Sequence, residues 1–167
     1  MSAETLFRSL RDEVRQNARS GRVIVAVDGL DAAATAAFAD RLAAALGEDG
    51  TAVFRASIGE VVSRDGVRAD LVAPFREGRP FPPVSETAAP AEAVLVVDGA
   101  FLLDAAVRGM WNWSVWLETA GVIGTPRPEL PDAQKHYLRT VKPRGAASAI
   151  VENSDPSAPV RVFGDFC

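Results

Sequence analysis

The chain has 167 residues, close to the length of one domain at roughly 150 residues each. Hydrophobic residues make up 48% and charged residues 24%, a balance that excludes a disordered chain. A formal net charge of −4 and an isoelectric point near 5.1 argue against a nucleic-acid partner held through its phosphates. Cys167 is the only cysteine, which excludes an intrachain disulfide and fits a reducing cytoplasm. No apolar h-region opens the sequence, and no apolar run approaches the ~18 residues of a membrane span. The expectation is a single cytoplasmic domain over residues 1–167 with no membrane partner.

Leu6, Leu10 and Val14 recur every four residues among charges, the pattern of an amphipathic helix. The run from Arg22 to Gly29 (RVIVAVDG) is continuously apolar and β-branched until its Asp-Gly end, as in a central strand buried on both faces. Ala34 to Leu46 reads as a helix with Phe38, Leu42 and Leu46 on one stripe and Gly47 beyond its end. Thr51 to Ser57 is a second strand. Val67, Leu71, Val72 and Phe75 fit a short helix, and residues 78–91 form a proline-rich loop.

Ala93 to Asp98 (AVLVVD) is a third buried strand, again followed by glycine, and Phe101 to Val107 is expected to be helical. Asn112 to Glu118 is a fourth strand, whose alternation sets Trp113, Val115 and Leu117 on one face and Trp116 on the other. Residues 119–131 make a Gly- and Pro-rich loop. A helix carrying Tyr137, Leu138 and Val141 follows, with Asp132 placed to cap it. Ser148 to Glu152 is a fifth strand and Val160 to Phe163 an edge strand. Strands alternating with helices specify an α/β fold with a parallel sheet and right-handed crossovers.

A strand ending in Asp-Gly, a short turn and then a helix is where open α/β sheets hold phosphates. The turn reads GLDAAATAAFAD from Gly29 to Asp40. With RVIVAVDGLD, AVFRASI, AEAVLVVDGAFLL, RGMWNWSVWLE and HYLRTVKPRGAASAIVENSDPSAPVRVF, it resembles the bacterial uridine-kinase-like P-loop proteins. The resemblance implies a P-loop kinase-like three-layer sandwich with a five-stranded or slightly larger parallel sheet flanked by helices. It also implies an ancestry in phosphorylating a nucleoside or similar hydroxyl from ATP.

The departures from that family fall on its chemistry. Aligned on Gly29, the motif G-x-x-x-x-G-K-[ST] meets Ala34 where it has glycine, Thr35 where it has lysine and Ala36 where it has the Mg²⁺-binding hydroxyl. Without the glycine the backbone is disfavoured from curling around a phosphate; without the lysine and hydroxyl, neither phosphate charge nor metal is held. No lysine lies between Met1 and Gly50. The family's acceptor-positioning Asp pair is replaced by Ser57-Ile58-Gly59-Glu60, and its arginine-bearing lid by the short 119–131 loop with Arg127 as sole cation.

Asp31, Glu60 and Asp98 follow three strands that the family places side by side, so they are the candidate acid/base group. Crowded carboxylates would hold one proton near neutral pH. Asp98 is either a Walker B-like carboxylate or a turn former; Asp28 and Asp31 flank the first turn, one of them a helix cap. Arg55 either reaches a carboxylate at the cleft or faces solvent at a sheet edge, and with Tyr137 it is a candidate ligand contact. His136 reads as a surface residue, and one histidine with a terminal cysteine gives no metal-ligand spacing. Trp111, Trp113 and Trp116 read as core, with one exposed ring as an interface alternative.

Three functions compete on these residues. The first is a non-phosphorylating descendant that uses the cleft to bind, or act by acid/base chemistry on, another small molecule. The second is a pseudokinase acting as a partner or scaffold protein, with the Trp cluster or the proline-rich loop as its interface, in a homo- or hetero-oligomer. The third is a residual nucleoside kinase. Only the third calls for ATP and Mg²⁺; the other two need no cofactor.

Overall fold

A computed structural model of the protein describes residues 1–60, 63–119 and 129–164. Helix α1 (Ala3–Asn17) leads to strand β1 (Arg22–Gly29), helix α2 (Ala32–Leu46) and strand β2 (Ala52–Glu60). A helical segment follows, α3 (Arg64–Val67) and α4 (Ala73–Glu77) joined through a π-helical turn at Arg68–Val72. Then come β3 (Ala93–Ala100), β4 (Trp113–Glu118), α5 (Asp132–Thr140), α6 (Pro143–Ala146), β5 (Ala149–Glu152) and β6 (Val160–Val162).

The strands form one six-stranded sheet in the order β2-β3-β1-β4-β5-β6. The first five run parallel and β6 pairs antiparallel to β5. The fold is therefore the expected α/β sandwich, with one antiparallel edge strand added. Strand β1 lies in the interior between β3 and β4, which is why every residue from Val23 to Gly29 is buried.

Period-two alternation sends the side chains of each central strand to two different cores. Val23, Val25 and Val27 join Val96, Trp113, Val115 and Leu117 beneath α1 and α2. Ile24, Ala26, Leu95 and Val97 pack on the other face against Leu71, Phe75, Phe81 and Leu102. Trp116 departs from its strand neighbours as expected and joins Leu103, Tyr137 and Ile150. Trp111, Trp113 and Trp116 are 8%, 2% and 3% exposed, so none of the three rings offers an interface.

One expected element is absent. Phe101 to Val107 is a series of turns, with a single 3-10 turn at Arg108–Met110. Phe101 has a φ of +66°, a left-handed conformation that an α-helix cannot contain. The following backbone turns inward instead, and the Leu103 N–H donates to Asp28. The residues expected to form the shortened lid, 119–131, lie mostly outside the described residues, as does Cys167.

Candidate functional site

The carboxyl ends of the parallel strands meet the starts of the following helices at one edge of the sheet, where such folds place their ligands. The first turn there is two residues long. Helix α2 begins at Ala32, and Asp31 is its N-cap, with Oδ1 accepting from the Ala34 N–H at 2.9 Å. Of the two aspartates flanking the turn, Asp31 is thus the cap. Ala34, Thr35 and Ala36 are all helical, which alanine favours over glycine by about 1 kcal/mol per residue.

Thr35, which aligns with the lysine of the P-loop pattern, is 2% exposed, and its hydroxyl donates to the Asp31 carbonyl at 2.6 Å. That hydroxyl closes against Gly29, where a Cβ would collide with it. A side chain at residue 29 would displace the Thr35 hydroxyl, so glycine there serves the packing of α2 against β1. The first helical turn is filled by its own side chains.

The sheet register separates the two aspartates that end β1 and β3. Asp98 is level with Val27 and Ser57, while Asp28 is level with Gly99 and Trp116. Asp98 therefore shares the α2 face and Asp28 the opposite one. On the α2 face, Oδ1 of Asp98 accepts from Arg55 Nη2 and from Ser57 Oγ, each at 2.7 Å. Arg55 also donates to Asp40 of α2 at 2.9 Å and to the Val96 carbonyl at 2.9 Å. Of the two alternatives for Arg55, the structure has it reaching a carboxylate, from the edge strand β2.

On the other face Asp28 is fully buried. Its Oδ2 accepts from the Tyr137 hydroxyl and from the Leu103 N–H, while Oδ1 has no hydrogen-bond partner among the described residues. Burial pushes the Asp28 carboxyl up to about 6, against the opposing pull of Tyr137 and the Phe101–Leu103 backbone. Burial and the Asp28 charge push the Tyr137 phenol upward as well. Tyr137 is packed between Phe101 and Trp116, with ring centroids 4.8 Å and 6.2 Å away. Its hydroxyl is committed to Asp28.

Asp31, Glu60 and Asp98 do not line one cleft. Asp31 borders a cavity of about 410 Å³ between the ends of β1, β4 and β5, walled by Leu30, Trp116, Leu117, Leu130, Leu138 and Pro143. Glu60 is exposed beside a separate hollow of about 540 Å³ that runs along the edge strand β2 to Pro82 and Pro83, and Arg55 borders that hollow too. Asp98 is buried against Arg55 between them. A third hollow, about 570 Å³, opens between Phe101, Asp104, His136 and Tyr137. The sheet order explains the scatter, because β2 is at one edge while β1 lies two strands in.

Sequence reasoning passed over Asp28 as a charge and passed over Lys142, which lines the cavity beside Asp31, altogether. A carboxylate ending an otherwise apolar strand was the available signal for the first. Among the described residues, no group of three or more His, Cys, Asp or Glu side chains is arranged to hold a metal. No helix there is long and apolar enough to cross a membrane.

No family model matches the sequence, and no curated protein does. Among solved structures, the chain is similar to one described as a possible uridine kinase from Bacillus stearothermophilus. The identity is 17% and the TM-score 0.54, over 85% of this chain and 98% of the other. The likeness is one of fold: a six-stranded, mostly parallel sheet flanked by helices, of the P-loop kinase kind.

Proposed function

We propose that this protein is a uridine-kinase-like protein that has lost ATP-dependent phosphoryl transfer and uses the cavity between β1, β4 and β5 to bind a small organic molecule. The observation that carries the reading is the turn after β1. The phosphate-loop positions Ala34, Thr35 and Ala36 form a capped, self-packed helical turn, while the space beside it remains a largely apolar cavity of about 410 Å³. That volume and lining suit a drug-sized ligand.

Two further features support the loss of phosphoryl transfer. The turn supplies no lysine to a triphosphate, and Asp98, where a Walker B carboxylate would stand, is neutralised by Arg55. Binding is favoured over acid/base chemistry by Asp31, Glu60 and Asp98, because the first caps a helix, the second stands at another hollow and the third is ion-paired.

The test pairs an assay with a map. Radiolabelled ATP·Mg²⁺ with uridine or cytidine should give no phosphorylated product. A fragment screen read by backbone amide shifts should give hits that move Leu30, Thr35, Leu117 and Leu138. Measurable nucleoside phosphorylation, or a screen whose hits avoid these residues, would overturn the reading.

A further inference from the structure

We infer that the ligand of the β1–β4–β5 cavity carries an acidic group, and that Lys142 receives it. This inference rests on the reading of that cavity as a binding cleft. The described lining holds four charged side chains: Asp31, Glu118, Lys142 and Arg144. Three are already answered. Arg144 Nη1 donates to both oxygens of Glu118, at 2.6 and 2.8 Å. Asp31 caps α2, where the positive end of the helix offsets its charge. Lys142 makes no ion pair or side-chain hydrogen bond among the described residues. Lys142 is therefore the cation of the described lining that has no partner.

The backbone at that residue is itself unusual. Lys142 has φ +53° and ψ +65°, a left-handed conformation, and it directly precedes the buried Pro143. Both features argue against lysine on structural grounds, since glycine or asparagine adopts this conformation more readily and a residue before proline prefers extended backbone. The turn is fixed all the same, by the Gly145 N–H on the Lys142 carbonyl at 2.9 Å and the Ala147 N–H on Pro143 at 3.0 Å. A long cationic side chain thus stands in a conformation suited to glycine, in the lining of a largely apolar cavity, which is where a recognition role would keep it. Leu30, Trp116 and Leu138 then face the apolar body of the ligand. The ligand class is a flat or compact organic acid.

The probes are 2-naphthoate and its uncharged amide, 2-naphthamide, titrated into the full-length protein with backbone amide shifts as readout. The carboxylate should bind about fivefold more tightly than the amide, the scale of one solvent-exposed ion pair. That preference should shrink in high salt. Lys142→Gly, which suits the left-handed backbone, should keep the fold and the amide affinity while abolishing the preference, and Lys142→Arg should retain it. If both probes move the cavity residues equally and Lys142→Gly changes neither, the role of Lys142 is overturned and the cleft reading stands. If neither probe moves the cavity residues, the cleft reading falls and this inference with it.

Discussion

Tyr137 donates its hydroxyl hydrogen to Oδ2 of Asp28 across 109 positions of sequence, fastening helix α5 to the end of the central strand. The carboxylate is fully buried and Oδ1 has no hydrogen-bond partner among the described residues, so its charge is costly there.

That cost gives the protein a pH-dependent stability. Asp28 holds its proton to about pH 6 in the folded state, against an ordinary value of 3.8. Between these values the folded state binds the extra proton, so stability is highest below pH 4 as far as Asp28 is concerned and falls as pH rises through 6. The loss is on the order of 3 kcal/mol. Asp49 and Asp155 act in the opposite sense, but their lowered values place their effect mainly below pH 4. Urea unfolding from pH 4 to pH 7 should show this decline, and Asp28→Asn should flatten it.

Replacing Tyr137 by Phe removes the hydroxyl donor but leaves the ring between Phe101 and Trp116. The variant should lose about 1–3 kcal/mol at pH 7 and less at pH 5, where a protonated Asp28 has less need of a donor. Equal losses at both pH values would mean that packing alone is responsible.

Arg55 and Asp98 form the corresponding contact on the α2 face. Arg55→Met leaves Asp98 buried with only Ser57 as a donor and should cost about 3 kcal/mol. Adding Asp98→Asn should recover much of that loss, because the unpaired charge disappears. A double-mutant cycle by chemical denaturation measures the coupling, and additive losses would deny it.

Placing a lysine at residue 35, where the P-loop pattern has one, should not by itself create nucleotide binding. Thr35 is buried against Gly29, so Thr35→Lys should destabilise the fold by about 1–3 kcal/mol. Asp31 would still cap a closed helical turn, with no open loop of N–H groups for a triphosphate. Calorimetry should detect no ATP binding by the variant. A gain of ATP affinity would show that the turn opens.

The strands were legible because burial on both faces demands unbroken apolar runs, and Val23–Val27 and Val94–Val97 supply them. A cap for the helix after β1 was legible as one of Asp28 and Asp31, and the fold settles it on Asp31. The cap expected of Asp132 is not made, because Asp132 lies inside α5 and Pro131 precedes it. The turns after Phe101 were not legible, since the pull toward Asp28 comes from a residue 75 positions away. Nor was the separation of Asp31, Glu60 and Asp98. Sequence brings the strand ends to one edge, but sheet order sends Glu60 to the outside and register turns Asp98 toward Arg55. Lys142 escaped notice because its distinction is a backbone angle.

On the proposed reading, the turn after β1 does not hold a nucleoside triphosphate. Isothermal titration of the purified full-length protein with ATP·Mg²⁺ tests this most directly. The account predicts no saturable heat at nucleotide concentrations up to about 1 mM, the level at which binding is worth only about 4 kcal/mol. A saturable isotherm with a micromolar Kd would contradict it.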